Sequence, residues 1–323
     1  MRKKIHVLDV MPIIIMLGLF VFFAIGSHGN TITLFNIKNI VIQTVPVALG
    51  ALGVIFVVSI GSTDISVGAN AALSATIAAL ISQSTSEFLM IPLTLVISTL
   101  IGAFLGWIIT KFKTDSFMTT LASLIGLRGL MNFILSLKTV TAPRYLLTIS
   151  SFKVSLIILV IFVVIVFFVF EKTKFGYYCK SMGENERTVK AIGINTNKIR
   201  FICFCISGFM AGVFGFILLG KVSGASSTLC NMMEMKIQMA IFLGGILVTG
   251  GFSSKLFKAI IGSFTIVIIE NGLVSCGVAT SPSEIIEGVL LIVILCVTIY
   301  SNKMALKKSD MELLLTKDAT KDA

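Results

Sequence analysis

Apolar residues in this chain come in long runs separated by short polar segments. Seven runs approach the roughly 20 residues that a helix needs to cross a bilayer. They are Val10–Ser27, Val41–Ile60, Leu89–Thr110, Phe117–Leu135, Phe152–Phe170, Phe201–Gly220 and Ile285–Tyr300. Shorter or Gly-interrupted runs are Ala69–Ser82, Lys236–Thr249 and Phe257–Leu273. Together they predict an all-α, polytopic membrane bundle of about ten transmembrane helices. Val10–Ser27 follows Arg2, Lys3 and Lys4 as in a signal peptide. No small-residue cleavage site is convincing and nine further spans follow, so it reads as a retained first helix.

Composition fits that picture. Hydrophobic residues make up 56% of the 323 and charged residues 13%, with mean hydropathy +1.03. An ordinary soluble domain carries about 25% charge, so most of this surface must face lipid, which makes membrane lipid a partner. The net charge of +11 does not point to nucleic acid, because the Lys and Arg residues sit in short loops between apolar runs. With the N-terminus inside and ten crossings, 19 Lys and Arg fall inside and six outside, with Arg128 left within a span. That asymmetry puts both termini in the cytoplasm. The longest polar stretch, Glu171–Arg200, is too short for an independent core. Residues 1–323 therefore read as one transmembrane domain, with a short charged tail at 301–323. Six scattered Cys (Cys179, Cys203, Cys205, Cys230, Cys276, Cys296) read as apolar fillers; Cys203 and Cys205 point about 200° apart on a helix. His6 and His28 leave no material for a His-based metal site, and neither metal nor cofactor is expected.

The pattern breaks in informative places, since every backbone polar group in lipid needs a partner. Gly61-Ser-Thr-Asp-Ile-Ser-Val-Gly68 places Asp64 between two apolar segments. It reads equally as a cavity-lining or gating element and as a cytoplasmic turn whose Ser66 caps the next helix. Arg128 lies mid-span and must face the bundle interior. It can line the pathway, pair with Asp64 or Glu270, or cap carbonyls; Glu270-Asn271 has the same two readings, functional and structural. Gly208-Phe-Met-Ala-Gly212 and Gly102-Ala-Phe-Leu-Gly106 are small-x-x-x-small faces for close helix packing. Gly244-Gly245 and Gly250-Gly251 bracket a short helix that would suit a re-entrant element. Gly215-Phe-Ile-Leu-Leu-Gly220-Lys221-Val222 approaches a phosphate-loop pattern, but Val222 cannot ligate Mg²⁺ and the run continues a membrane helix. The chain carries no nucleotide site and is not expected to be an enzyme.

Within the loop 171–200, Gly183 precedes a helix-prone stretch Glu184–Ile192 that ends at Gly193. Glu184 and Glu186 fall in its first turn and Lys190 in its last, as the helix dipole favours. This predicts a short cytoplasmic surface helix, either a well-capped connector or a docking element for a soluble partner.

These residues carry a resemblance. Lys174-Phe-Gly-Tyr-Tyr, Met182-Gly-Glu-Asn-Glu-Arg, Ala191-Ile-Gly-Ile-Asn and Ile206-Ser-Gly-Phe-Met-Ala-Gly look like the loop of ribose/xylose/galactose-type ABC importer permeases. The Asp64 segment with Ala71-Ala-Leu-Ser74 resembles that family's Gly-Gly-x-Asp-Leu-Ser-Val-Gly motif. Thr120-Leu121, Arg128-Gly-Leu130, Glu234, the two Gly pairs and Asn271-Gly-Leu273 follow in the expected order. The resemblance implies a type II-like permease subunit in the bacterial cytoplasmic membrane. It implies as partners a second copy or paralogue, two cytoplasmic ATP-binding subunits and an extracytoplasmic solute-binding protein. It also implies that Gly183, Glu184, Asn185, Glu186, Arg187, Ala191 and Gly193 form the coupling helix region. Asp64, Ser66, Gly68, Asn70 and Arg128 are then placed near the translocation pathway. Ser62 replaces the second Gly of the family pair, Lys236 stands where an acidic residue is usual, and Ile246-Leu-Val-Thr249 is unusually apolar. These departures bear on the solute, or suit one half of a heterodimer.

The leading expectation is an ATP-driven importer of a monosaccharide. Nucleosides, autoinducer-type sugars or amino acids are alternatives in the same class. An ion-driven secondary transporter would need inverted repeats and a carboxylate cluster, and no clear repeat is visible.

Overall fold

The computed structural model describes residues 7–278 and positions 285, 288, 289 and 292. The expected crossing Ile285–Tyr300 lies largely outside the described residues, as do the tail 301–323 and the basic start Arg2, Lys3 and Lys4.

The described residues form helices joined by turns, with a single antiparallel bridge between Thr141 and Gly224. Its helices are α1 (Val7–Gly26), α2 (Leu34–Ser59), α3 (Val67–Ser84), α4 (Met90–Phe112), α5 (Ser116–Leu137) and the short α6 (Tyr145–Ile149). They continue with α7 (Phe152–Phe167), α8 (Lys174–Ala191), α9 (Thr196–Val222), α10 (Met233–Leu243) and α11 (Leu256–Ser275). Six are long and apolar enough to cross a membrane: α2, α4 with the turn before it, α5, α7 with the π-helical turn after it, α9 and α11. Caps set several starts as the polar breaks suggest. Asp115 accepts from Met118 N at 3.0 Å to open α5, and Asn195 from Lys198 N at 3.1 Å to open α9. Thr33 accepts from Asn36 N at 3.4 Å and starts α2 seven residues before the expected Val41.

Two expectations change. Met233–Leu243 covers only 11 residues, about 16 Å at 1.5 Å per residue, so α10 alone falls short of a bilayer. Between the glycine pairs there is a turn, not a helix. Gly245, Gly250 and Gly251 all take positive φ, which unwinds the backbone between α10 and a 3-10 turn at Gly251–Ser253.

At the centre, α9 packs against α2, α3 and α4, while α11 packs against α1, α2 and α10. α2 and α9 are mostly buried, whereas only a minor share of α4, α5 and α7 is. The two small-x-x-x-small faces meet each other. A Cβ on Gly102 would lie 2.5 Å from Phe204 O and 2.9 Å from Gly208 Cα, so the α4 and α9 backbones touch where no side chain intervenes. One sulfur contact escapes sequence reasoning: Cys179 of α8 and Cys203 of α9 are both buried, with Sγ atoms 3.6 Å apart.

Candidate functional site

The loop 171–200 is built around a break. Thr173 caps α8, accepting from Gly176 N at 3.5 Å, and the helix runs until Asn185, whose backbone is extended (φ −159°, ψ 99°). Asn185 Oδ1 then accepts from Thr188 N at 3.1 Å and restarts the helix, which continues to Ala191. Gly193 follows in the left-handed conformation at φ +82°, as expected. The short helix therefore covers residues 186–191, and Glu184 ends the preceding helix instead of opening this one.

The displacement has a physical cause. Glu184 Oε1 accepts from Phe252 N at 2.9 Å, so its carboxylate is committed to the turn between α10 and α11. A Cβ on Gly183 would sit 2.2 Å from both Ser59 O and Gly251 N. The chain is thus pinned between α2 and that turn just before it breaks. Beside it, Glu171 accepts from Leu256 N at 3.1 Å, opening α11, and from Lys180 Nζ at 2.6 Å.

Beyond the break, Glu186 clamps the short helix to α9. It accepts from Thr196 Oγ1 at 3.0 Å, Arg200 Nη2 at 2.8 Å and Lys190 Nζ at 3.0 Å. Partial burial disfavours its charge, but the hydrogen bonds from Lys190, Arg200 and Thr196 outweigh that and hold its carboxyl at about 2. Val189 is buried, whereas Arg187, Thr188, Ala191 and Ile192 are exposed. The clamped helix thus presents one free face.

The Asp64 segment is wired inward. Asp64 is buried. Its Oδ1 accepts from Ser66 N at 3.0 Å and Ser66 Oγ at 2.6 Å, and its Oδ2 from Ser207 Oγ at 2.6 Å. Ser66 stands at the start of α3, but its hydroxyl serves Asp64 and makes no cap, contrary to expectation. Gln238 Nε2 of α10 donates to Asp64 O at 3.1 Å. On the other side, Ser116 Oγ accepts from Thr63 N at 3.1 Å and Thr120 Oγ1 from Ile65 N at 3.2 Å. One seven-residue break thereby joins α3, α5, α9 and α10. Asn70 Nδ2 donates to Ser98 O at 3.0 Å, while Asn70 Oδ1 and Gln238 Oε1 are buried without a hydrogen bond.

Arg128 finds neither Asp64 nor Glu270. Its two terminal nitrogens donate to Leu229 O and Cys230 O, each at 2.6 Å, and Nη2 lies 3.7 Å from Glu234 Oε2. Both carbonyls turn toward it because the chain before α10 passes through left-handed backbone at Cys230 and Met232. Glu234 in turn lies against Gly68, where an added Cβ would be 1.9 Å from its carboxylate. Glu270 pairs with Lys236 at 2.7 Å, so the basic residue at the usually acidic position supplies a link between α10 and α11. Asp64 and Gly68 thus meet α10, and Arg128 reaches it from α5, whereas Asn70 turns toward α4.

Sequence reasoning missed Ser207, Gln238 and Phe252. Ser207 stands directly before Gly208, and Gln238 follows Glu234 by four residues and shares its helix face. Phe252 contributes through its backbone, which no side-chain pattern signals.

Comparison with known proteins shows the family of the chain. The family described as "Branched-chain amino acid transport system / permease component" matches residues 36–295. The ribose import permease of Haemophilus influenzae is 30% identical over 272 residues, covering 80% of this chain and 83% of that protein. The ribose import permease of Bacillus subtilis is 31% identical over 307 residues, covering 90% and 94%. The autoinducer 2 import system permease of Photorhabdus luminescens is 28% identical over 276 residues, covering 79% and 81%. No solved structure matches the chain. With more than two thirds of its length matched, the chain belongs to the branched-chain amino acid transport system permease component family, beside sugar-importing ABC permeases.

Proposed function

We propose that this chain is the membrane-spanning subunit of a type II-like, ATP-driven ABC importer in the bacterial cytoplasmic membrane, moving a monosaccharide inward. The observation that carries the reading is the short helix 186–191. It is broken from α8 at Asn185, held to α9 through Glu186, and free on the face of Arg187, Ala191 and Ile192. Such an element suits docking to a cytoplasmic ATP-binding subunit. In this reading Gly183 and Glu184 pass its movement to α2 and the α10–α11 turn, Glu186 passes it to α9, and Gly193 ends it.

The same reading gives one transmembrane domain of ten crossings with both termini cytoplasmic, paired with a second copy or a paralogue and fed by an extracytoplasmic solute-binding protein. Its pathway runs beside Asp64, Ser66, Gly68, Asn70 and Arg128. Asp64 and Arg128 hold backbone there, and Asn70 Oδ1 and Gln238 Oε1 are acceptors that a polyhydroxylated solute would meet when the seam opens. An ion-driven mechanism is less well supported, because Asp64 is committed to two serines while Glu234 and Glu270 are ion-paired. The similarity to autoinducer 2 permeases keeps that solute as the second choice.

The test is co-purification of the tagged chain from native membranes. Recovery with an ATP-binding subunit is expected; recovery alone, with uptake that runs without ATP, would overturn the reading.

A further inference from the structure

A polar cavity of about 350 Å³ lies between the turn joining α4 to α5 and the clamped helix, lined by Lys113, Asp115, Glu186, Lys190, Asn197 and Arg200 among others. A neighbouring depression of about 440 Å³, lined by Thr110, Asn195, Asn197, Lys198, Phe201 and Ile202, shares Asn197 with it. The cavity's carboxylates are already used. Glu186 is neutralised by Lys190 and Arg200, and Asp115 caps α5. Lys113 and Lys198 are exposed and have no carboxylate partner among the described residues. The positive end of α9 adds to their field.

The surroundings give the depth of this basic pair. The outer face of α4 exposes Val96, Leu100 and Phe104, which borders lipid. One turn before the helix ends stands Trp107, the chain's single tryptophan, 43% exposed, with Lys111 Nζ 4.6 Å from its ring centroid. Tryptophan and snorkelling lysine mark the headgroup level of a membrane. Phe201 and Ile202 give the depression an apolar floor next to its basic rim.

We propose that the phosphate of an anionic phospholipid headgroup sits where this depression meets the polar cavity, held by Lys198 of the one and Lys113 of the other, with the first acyl carbons against Phe201 and Ile202. The phosphate then shares a cavity wall with Lys190 and Arg200, so lipid charge competes with Glu186 for the cations that clamp the short helix to α9.

Trp107 supplies the test. The full chain is reconstituted in phosphatidylcholine vesicles containing an equal minor fraction of brominated phosphatidylglycerol or brominated phosphatidylcholine, and quenching of tryptophan fluorescence is compared. Brominated phosphatidylglycerol should quench more strongly. Lys113→Gln and Lys198→Gln should each lower its apparent preference about fivefold, and the double variant should abolish it, while Lys113→Arg keeps it. Equal quenching by the two lipids would overturn the proposal. So would a preference that survives the double variant but disappears in Lys111→Gln. Loss of the preference on adding inorganic phosphate at constant ionic strength would make the ligand a soluble phosphate and overturn the lipid assignment.

Discussion

Ser207 on α9 donates its hydroxyl to Asp64 Oδ2 at 2.6 Å, a buried bond between residues 143 positions apart. With Gln238, Ser116 and Thr120, it fixes the break between α2 and α3 against the bundle. Ser207→Ala leaves a buried carboxylate oxygen without its donor, which costs about 1–3 kcal/mol. The expected outcome is a lower unfolding temperature in detergent. Asp64→Asn should cost a similar amount, and the double variant less than the sum of the two. Additive losses would show that the two residues act independently.

Arg128 holds two carbonyls and faces Glu234. Arg128→Leu removes one member of a largely buried pair and strands the other, a loss of about 3–5 kcal/mol, so the amount of folded protein in membranes should fall sharply. Arg128→Leu combined with Glu234→Gln should recover part of it. Normal protein levels with failed transport would instead assign Arg128 to the solute path.

Gly102 and Gly208 let α4 and α9 touch backbone to backbone. Gly102→Val has to push the helices apart, at a cost of about 1–3 kcal/mol. Thermal unfolding monitored by the helical signal should register the loss, whereas Gly129→Ala on α5, where an added Cβ meets nothing within 4 Å, should leave it unchanged.

The clamp at Glu186 has a definite pH dependence. Its carboxyl is held at about 2 against an ordinary 4.5, so its contribution is fully present above pH 4.5 and is lost as pH falls toward 2. Hydrogen exchange of the amides at 187–191 should show constant protection from pH 5 to 8, after correction for intrinsic rates. Glu186→Gln should lower protection throughout that range, and unchanged protection would mean that the clamp does not hold the helix.

Much of this architecture is legible from the chain because lipid imposes a simple rule, about 20 apolar residues per crossing. Leu89–Thr110 and Phe117–Leu135 match α4 and α5 to within two residues at each end. The glycine faces of α4 and α9 are legible because small residues four apart have one structural use in a bundle. What is not legible depends on three-dimensional partners. Met233–Leu243 stops at 11 residues because Gly245, two positions on, takes positive φ, a conformation that a glycine permits but does not announce. The short helix starts at Glu186 instead of Glu184 because Glu184 is drawn to a backbone amide 68 residues away. Arg128 pairs with Glu234 because an irregular turn brings carbonyls to it, and irregular turns leave no periodic signal.

In the proposed mechanism the helix at 186–191 couples a cytoplasmic ATPase to solute movement. The most direct measurement reconstitutes the chain in vesicles with its co-purifying ATP-binding subunit and solute-binding protein, and follows ATP hydrolysis together with uptake of the labelled monosaccharide that the binding protein takes up, for the natural protein and for Glu186→Gln. The expected result is ATP-dependent uptake in the natural protein and, in the variant, hydrolysis that continues while uptake per ATP falls about tenfold or more, a coupling loss of at least about 1.4 kcal/mol. Uptake that needs no ATP, or a variant with an unchanged ratio of uptake to hydrolysis, would contradict it.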